Sequence, residues 1–480
     1  MRVRLGIDAP PREDGAYVLY WMTMYRRAEW NLALERAARW AERLGRPLVV
    51  LEALRCDYPW ASERLHRFML EGMRDNVAAF AGKPAHYYPY VEPAPGAGKG
   101  LLAALARDAC VVVGDDFPAF MLPRMVEAAA AQVGCRFELV DANGLLPMHS
   151  TQRVFGRAVD FRRHLQKELA PWLERLPAAD PLAGRKLPAL GNLAAEVTSR
   201  WPLAAGDLPA LAGRIAFKNR VPPASIPGGR EAALARMASF LGERLARYPE
   251  DRNEPEVDGT SGLSPYLHFG HISVHEVFAA LAKREAWTPA RLGKPNGSKE
   301  GWWGMSRAAE AFLDELVTWR ELGFNFCARR PEDYDRYESL PGWARATLEA
   351  HLADPREHVY SVEALEQART HDPLWNAAQT QMAREGWFHN YMRMLWGKRI
   401  LEWSAHPREA LAAMIQLMNK YSLDGRDPSS YTGYFWTLGR YDRPWGPERP
   451  IFGAVRYMSS ANTARKLSVK GYMARYAPPP

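Results

Sequence analysis

The first 150 residues alternate short apolar runs with amphipathic stretches of helix length, and this alternation constrains the fold more than any other feature. Five runs rich in β-branched and aromatic residues predict strands at Tyr17 to Met22, Pro47 to Ala53, Ala85 to Tyr90, Cys110 to Val113 and Phe137 to Val140. Stretches near 27–44, 62–80, 99–107 and 120–133 predict the helices that connect them. We therefore predict an α/β domain with a doubly wound parallel sheet, a fold that binds ligands at the carboxyl ends of its strands.

The rest of the chain has a different pattern. Residues 151–235 are rich in proline and have no clear period, which predicts a long interdomain linker. From about Arg230 onward the apolar residues recur with helical spacing almost to the end of the sequence. The predicted organisation is an α/β domain over 1–150, a linker over 151–235 and an all-α domain over 236–480.

Charge and tryptophan are concentrated in the later part. The net charge is +8, but residues 1–150 contain 18 basic and 18 acidic side chains, so the whole excess lies in 151–480. Residues 420–480 contain 10 basic and 4 acidic side chains, a composition that attracts phosphate backbones, although a solvated surface is the commoner explanation. Of the 17 tryptophans, 11 fall between Trp287 and Trp445.

Several classes of protein are disfavoured by the sequence. No apolar run approaches the roughly 20 residues that cross a bilayer, and the amino terminus has no apolar signal segment. The spacing of the four cysteines matches neither a disulfide framework nor a metal site, and PGAGKG lacks the residues of a phosphate loop. We expect a cytoplasmic monomer without a metal or a membrane segment.

A cluster of Gly, Ser and Thr leads into a predicted helix in DGTSGLSPYLHFG, residues 258–270. Thr260, Ser261 and Ser264 offer hydroxyls and backbone N–H groups where a helix dipole favours an anion such as pyrophosphate. Ordinary helix capping also explains these residues and is favoured when this segment is taken alone.

Two helical segments present aromatic side chains with possible functional spacing. Glu315 and Trp319 are four residues apart and share a helix face. Trp396 and Trp403 are seven apart, about 10.5 Å along one helix face, and Trp375 lies on the preceding helix. Closely spaced indoles can pass an electron stepwise to a redox cofactor, but a stripe of core tryptophans has the same pattern.

A turn in YSLDGRDPSSYTGYFW, residues 421–436, contains Asp424 and Arg426 around a glycine. Asp424 could pair with Arg393 across a buried ligand, whereas turn chemistry alone also accounts for the sequence.

In this order, these segments resemble the class II cyclobutane pyrimidine dimer photolyases of the photolyase and cryptochrome family. The motifs that carry the resemblance are LSPYLHFG, ELVTWREL, HDPLWNAAQ, YMRMLWGKRILEW, YSLDGRDP and RPIFGAVRYM. YVLYWM, FMLEGM and VDANGLLP in the first 150 residues extend it over most of the chain.

The resemblance implies that the helical domain binds FAD and repairs pyrimidine dimers in DNA with the energy of light. The implied cofactor-binding residues are Tyr248, Thr260, Ser261, Gly262, Leu263, Ser264, Arg320, Arg393, Met418, Asn419, Asp424, Gly425 and Arg426. Trp396, Trp375 and Trp403 match the electron relay of the family. The implied catalytic residues are Glu315, Trp319, Met394, Asn253 and Trp436, with Arg252, Arg456 and Trp445 in contact with DNA. Glu315 and Asn253 are expected to hydrogen-bond the pyrimidine carbonyls.

Two departures from the family pattern affect the cofactors. Leu417 to Tyr421 reads LMNKY where the family commonly has LNDKY, so Met418 occupies the position of an Asn near flavin N5, and Met cannot donate that hydrogen bond. Thr23 to Arg27 also departs from the pattern of the first domain, where an antenna chromophore of the deazaflavin type is possible. The alternative function is a cryptochrome-like blue-light sensor without repair activity.

Overall fold

Six strands form one twisted sheet in the amino-terminal domain of a computed structural model that describes residues 2–478. They are β1 (Val3–Ile7), β2 (Tyr17–Met22), β3 (Leu48–Leu54), β4 (His86–Val91), β5 (Ala109–Asp115) and β6 (Arg136–Val140), in the order β1-β6-β5-β2-β3-β4. The central strands β2 and β5 are buried along their whole length. This burial on both faces explains their nearly continuous apolar sequence.

All five predicted strands are confirmed and pair in parallel, and the sheet has a sixth strand in addition. The first strand, β1, was not predicted, and it pairs antiparallel with β6 at the edge of the sheet. Val3 and Leu5 remain 37% and 41% exposed there. A short edge strand with so little burial has no strong apolar run, so the sequence pattern did not reveal it.

The predicted helices of this domain are confirmed with shorter bounds, at Leu32–Leu44, Glu63–Phe80, Leu101–Arg107 and Leu122–Ala130. The first of them begins at Leu32 rather than near residue 27. The side chain of Asn31 accepts hydrogen bonds from the backbone N–H groups of Ala33 and Leu34, both at 3.0 Å. This side-chain cap fixes the start of the helix.

The segment predicted as a linker has secondary structure of its own. It contains helices at Ala158–Glu168, Ala170–Leu173 and Ala195–Arg200 and a 3₁₀ turn at Pro209–Arg214. Arg162 forms a buried ion pair with Asp314, at 2.8 Å, which ties the first of these helices to the all-α domain. The segment is therefore packed against the domains that it joins.

The remainder of the described chain is helical, as predicted. Its helices and helical turns are Arg230–Ser239, Phe240–Arg244, Leu245–Arg247, Tyr248–Asp251, Ser264–His268, Val274–Arg284, Pro289–Arg291, Arg307–Leu313, Asp314–Trp319, Arg320–Arg329, Tyr337–Ser339, Gly342–Ala350, Val362–Glu366, Pro373–Glu385, Asn390–Trp403, Pro407–Tyr421, Pro428–Thr437, Ser460–Lys466 and Lys470–Arg475. Phe240–Arg244 and Asp314–Trp319 are π-helical turns, which are frequent at functional sites. No helix within residues 2–478 is long and apolar enough to span a membrane.

Buried polar contacts join the two domains. Glu321 accepts hydrogen bonds from the backbone N–H groups of Leu145, at 2.6 Å, and Leu146, at 3.1 Å. Burial raises the pKa of Glu321 to about 7, against the lowering effect of these two hydrogen bonds. These contacts hold the loop after β6 against the helix Arg320–Arg329.

Candidate active site

Three tryptophans form a contiguous buried stack, which we call the relay cluster: Trp396, Trp375 and Trp403. The rings of Trp396 and Trp375 are nearly parallel, with an interplanar angle of 3° and centroids 6.3 Å apart. Trp403 meets Trp375 edge to face at 5.4 Å. Since each indole contacts the next, the cluster offers short steps for an electron.

Neutral groups satisfy the two inner indoles of the relay cluster. Trp375 Nε1 donates to the backbone oxygen of Trp396 at 3.0 Å, and Trp396 Nε1 donates to Oε1 of Gln379 at 2.9 Å. All three tryptophans are at most 2% exposed. These bonds fix the orientation of both rings in the protein interior.

The loop over residues 258–264 is held in place by contacts with Arg236 on the helix Arg230–Ser239. Arg236 donates to the backbone oxygens of Ser261, at 2.8 Å, and Thr260, at 3.0 Å. The same guanidinium pairs with Asp258, which also pairs with Arg244 at 2.5 Å. The loop shape is therefore set by a charge network that the sequence reasoning did not identify.

The conformation of this loop also requires a glycine. Gly262 has φ of +64°, and a Cβ atom there would lie 2.5 Å from Nε of Arg236. The helix that follows, Ser264–His268, is only five residues long and has no side-chain cap. The alternative of ordinary capping by Ser264 is therefore wrong, and the short helix provides little dipole.

Asp424 and Arg393 form a direct, partly buried ion pair. Nη2 of Arg393 lies 2.8 Å from Oδ1 and 3.0 Å from Oδ2 of Asp424. Burial opposes the charged carboxylate, but Arg393 and the hydroxyls of Ser422 and Ser264 outweigh it and lower the pKa of Asp424 to about 2. Ser264 thus connects this pair to the 258–264 loop.

The turn after the helix Pro407–Tyr421 packs tightly on the end of that helix. A Cβ atom on Gly425 would lie 2.1 Å from the backbone oxygen of Met418, so no other residue fits. Arg426 donates to the backbone oxygens of Asn419, Ser422 and Leu423. Its guanidinium is therefore occupied in holding the turn, and Met418 is buried beside it.

Several buried polar atoms around this region have no hydrogen-bond partner among residues 2–478. They are Oγ1 of Thr260, Nε and Nη2 of Arg244, and Oδ1 of Asn419. A hydroxyl and guanidinium N–H groups near one loop match the oxygens of a pyrophosphate, and a free amide oxygen suits a ring N–H. The donor set fits a dinucleotide cofactor.

The other predicted cofactor residues lie around the same region. Tyr248 and Leu263 are buried in the core of the helical domain. Arg320 instead faces the first domain, where it donates to the backbone oxygen of Asn143. Burial lowers the pKa of Arg320, and Asp427 in the 424–427 turn acts to raise it.

Glu315 and Trp319 lie half-buried on the π-helical turn Asp314–Trp319. Oε1 of Glu315 forms an ion pair with Arg252 at 2.5 Å. Trp319 meets Tyr441 edge to face at 6.5 Å. A carboxylate, a guanidinium and an indole that were predicted from sequence to meet the substrate thus lie on neighbouring elements.

Trp436 forms another predicted wall and is surrounded by cations. Nζ of Lys398 lies 4.9 Å and Cζ of Arg456 lies 5.8 Å from its ring centroid. Arg456 also lies 4.1 Å from the ring of Trp445. Asn253 and Met394 are half-buried, and the structure gives no direct contact that joins them to Glu315 or Trp436.

Sequence reasoning missed Arg236, Arg244, Gln379 and Lys398. Each belongs to an amphipathic or buried helix, where a charged or polar residue has no distinctive local pattern. Only the contacts across elements reveal their roles.

The fold and this site define a protein of the photolyase and cryptochrome type. A class III photolyase from Agrobacterium tumefaciens superposes with a TM-score of 0.69 and 17% identity, over 97% of this chain and 87% of its own. A cryptochrome from Synechocystis superposes with a TM-score of 0.67 and 15% identity, over 96% of this chain and 88% of its own. At these identities the likeness establishes the fold and leaves open which of the two functions applies.

Sequence similarity is more specific. The deoxyribodipyrimidine photo-lyase of Methanothermobacter thermautotrophicus is 34% identical over 479 residues, which cover 99% of this chain and 97% of the relative. No family model matches the sequence. The chain belongs to the deoxyribodipyrimidine photo-lyase family.

Proposed function

We propose that this protein repairs cyclobutane pyrimidine dimers in DNA in a light-driven reaction. Near full-length similarity to a deoxyribodipyrimidine photo-lyase carries the proposal. The Glu315–Arg252 pair and the cations around Trp436 support it, because they supply the polar groups and the positive charge that a damaged DNA strand requires. A light sensor without repair activity has no need for these groups.

FAD fits the buried donors of the helical domain. Thr260 and Arg244 provide unpaired donors for its pyrophosphate, and the Arg393–Asp424 pair lies beside the turn that would hold the ring system. When bound, FAD supplies light absorption and a reversible one-electron donor. Tyr248, Ser261, Gly262, Leu263, Ser264, Arg320, Met418, Asn419, Gly425 and Arg426 are the remaining proposed binding residues.

The protein selects its substrate by the weakness of the damaged base pairs. A pyrimidine dimer pairs poorly with the opposite strand, so its extrusion from the duplex costs less than flipping normal bases. Trp319, Met394 and Trp436 would enclose the apolar cyclobutane. Arg252, Arg456 and Trp445 would contact the DNA around the extruded dimer, and the contacts of the basic side chains with phosphates make affinity depend on salt.

The ion pair with Arg252 changes the role expected of Glu315. A carboxylate that is paired with a guanidinium accepts hydrogen bonds and donates none. We therefore assign Glu315 as an acceptor for a pyrimidine N–H group. Arg252 and Asn253 supply the donors for the pyrimidine carbonyls, where negative charge develops when the dimer takes up an electron.

The relay cluster has a separate task. Trp396, Trp375 and Trp403 would conduct electrons from the protein periphery toward the cofactor site, keeping the enzyme in its active reduced form. Repair itself returns the electron that it uses, so the relay is needed only to restore the reduced form.

Further features of the sequence prediction are part of this proposal. They are membership of class II, the domain bounds 1–150, 151–235 and 236–480, a monomeric state, a cytoplasmic location and an antenna chromophore of the deazaflavin type in the first domain.

Illumination of the FAD-loaded protein with an oligonucleotide that contains one dimer tests the function. We expect the dimer to be reversed in blue or near-ultraviolet light and to persist in the dark. A light-induced change in flavin absorbance without dimer reversal would contradict repair and favour the sensor.

A further inference from the structure

Cations and indoles alternate from the core of the helical domain to its surface, in a row that we call the ladder: Lys398, Trp436, Arg456, Trp445 and Arg443. The distances from each charged group to the neighbouring ring centroid are 4.9, 5.8, 4.1 and 4.7 Å in that order. All four distances are within the range of a cation–π contact.

Of the three ladder cations, only Arg456 has an ion-pair partner among residues 2–478, and this partner is Asp442. Oδ2 of Asp442 lies 3.0 Å from Nε of Arg456, and Oδ1 accepts from Nε1 of Trp445 at 3.1 Å. Within residues 2–478, neither Lys398 nor Arg443 has an ion-pair partner. The ladder therefore keeps net positive charge, which suits a surface that meets DNA phosphates.

Lys398 is the unusual member because its side chain is fully buried. It is 0% exposed, and Nζ donates to the backbone oxygen of Thr437 at 2.6 Å. A buried ammonium without a paired carboxylate is costly, so packing alone does not explain this lysine. The contact of its ammonium group with the Trp436 ring suggests a functional reason for this burial.

We propose that Lys398 is a positioning residue, whose ammonium group holds Trp436 as a wall of the dimer pocket and orders the ladder for DNA binding. The proposal rests on the proposed function. It differs from that function in assigning a role to a residue that contacts neither the dimer nor the cofactor.

The environment of Lys398 makes this role sensitive to pH. Burial lowers the pKa of Lys398 to about 7, with Asp442 acting to raise it and Arg456 acting to lower it. The helix Pro428–Thr437 faces the ammonium group with a backbone oxygen and the Trp436 ring. Lys398 is charged below about pH 7 and neutral above it, so its contact with Trp436 weakens as the pH rises.

The test measures binding of the FAD-loaded protein to a duplex that contains one dimer, in the dark and at constant salt, from pH 6 to pH 8.5. The wild type should lose affinity about three- to fivefold over this range, the size of a partly desolvated cation–π contact. Lys398→Met should bind as weakly at pH 6 as the wild type does at pH 8.5. Lys398→Arg, which keeps its charge, should bind tightly throughout.

Lys420→Met is the matched control. Lys420 also contacts an aromatic ring, that of Tyr421 at 5.3 Å, but it is paired with Glu366 outside the proposed pocket. This variant should keep the wild-type pH profile.

The binding measurements distinguish failure of the Lys398 role from failure of the proposed repair function. A flat wild-type profile, or a Lys398→Met profile equal to the wild type, overturns the role of Lys398 even when the protein prefers dimer-containing DNA. If neither Lys398 variant folds, the pH dependence of DNA binding by the wild type alone tests the role of Lys398. Failure of the wild type to distinguish damaged from undamaged duplex at every pH overturns the proposed function as well.

Discussion

The relay cluster and the ladder are both built on tryptophan, but the charges around their indoles differ. Trp375 and Trp396 donate to a backbone oxygen and a neutral amide. Trp436 and Trp445 contact three cations, of which only Arg456 is paired with a carboxylate. Because a nearby cation opposes removal of an electron from a ring, we expect the ladder tryptophans to be poorer electron donors than the relay tryptophans.

Trp403 tests this distinction, because Arg399 lies 4.6 Å from its ring. Arg399 is paired with Asp372, at 3.3 Å, and with Glu402, so its charge is offset locally. If the proposed roles hold, the net charge around an indole, rather than contact with one cation, separates a relay tryptophan from a DNA-binding one.

Loss of the inner relay tryptophan should have the largest effect. Trp396→Phe should abolish photoreduction of the bound flavin, because it removes the step between Trp375 and the cofactor site. Repair by chemically reduced enzyme should persist, and both are measured by flavin absorbance and dimer reversal. Trp172→Phe, outside both clusters, is the control, and normal photoreduction in Trp396→Phe would end the relay assignment.

Burial should make the two clusters differ in their effect on stability. Trp375→Ala should lower the free energy of unfolding by about 3–5 kcal/mol, since the ring is 0% exposed and leaves a large cavity. Trp445→Ala should cost about 1 kcal/mol, because it loses a half-exposed cation–π contact. Chemical denaturation of the FAD-loaded variants measures both, and equal losses would contradict the contrast.

Glu315→Ala should give the converse of Trp396→Phe. Dimer reversal should fall by about 10²-fold, because the pocket loses an acceptor and leaves Arg252 unpaired. Flavin content and photoreduction should be unchanged. Glu338→Ala, which breaks an exposed pair with Arg408, is the control, and unchanged repair in Glu315→Ala would exclude Glu315 from the mechanism.

The smallest effect concerns the outer end of the ladder. Arg443→Ala should reduce the slope of log affinity against log salt by about one, as expected for one lost phosphate contact. Titration with the dimer-containing duplex at several salt concentrations measures the slope. Arg39→Ala, on the exposed face of the first domain, should leave it unchanged, and an unchanged slope in Arg443→Ala would place Arg443 away from DNA.

Much of the architecture could be predicted because it depends on the local spacing of apolar residues along the sequence. Five buried strands and the main helices follow from runs and repeats of apolar residues, and the seven-residue spacing of Trp396 and Trp403 places both on one helix face. The edge strand β1 was not predicted, because its apolar residues are exposed and form no strong apolar run. The acceptor role that we propose for Glu315 could not be predicted from the sequence, because it depends on the contact with Arg252.

The sequence by itself determined the two-domain fold, the family and the residue types that the site contains. Only the tertiary structure decided that Trp375 stacks on Trp396, that Arg236 and Asp258 shape the 258–264 loop, and that Lys398 lies against Trp436. The physical reason is the distance along the chain between the residues that interact. Secondary structure depends on neighbours a few residues away, whereas these contacts join residues on different elements and exist only when the core packs.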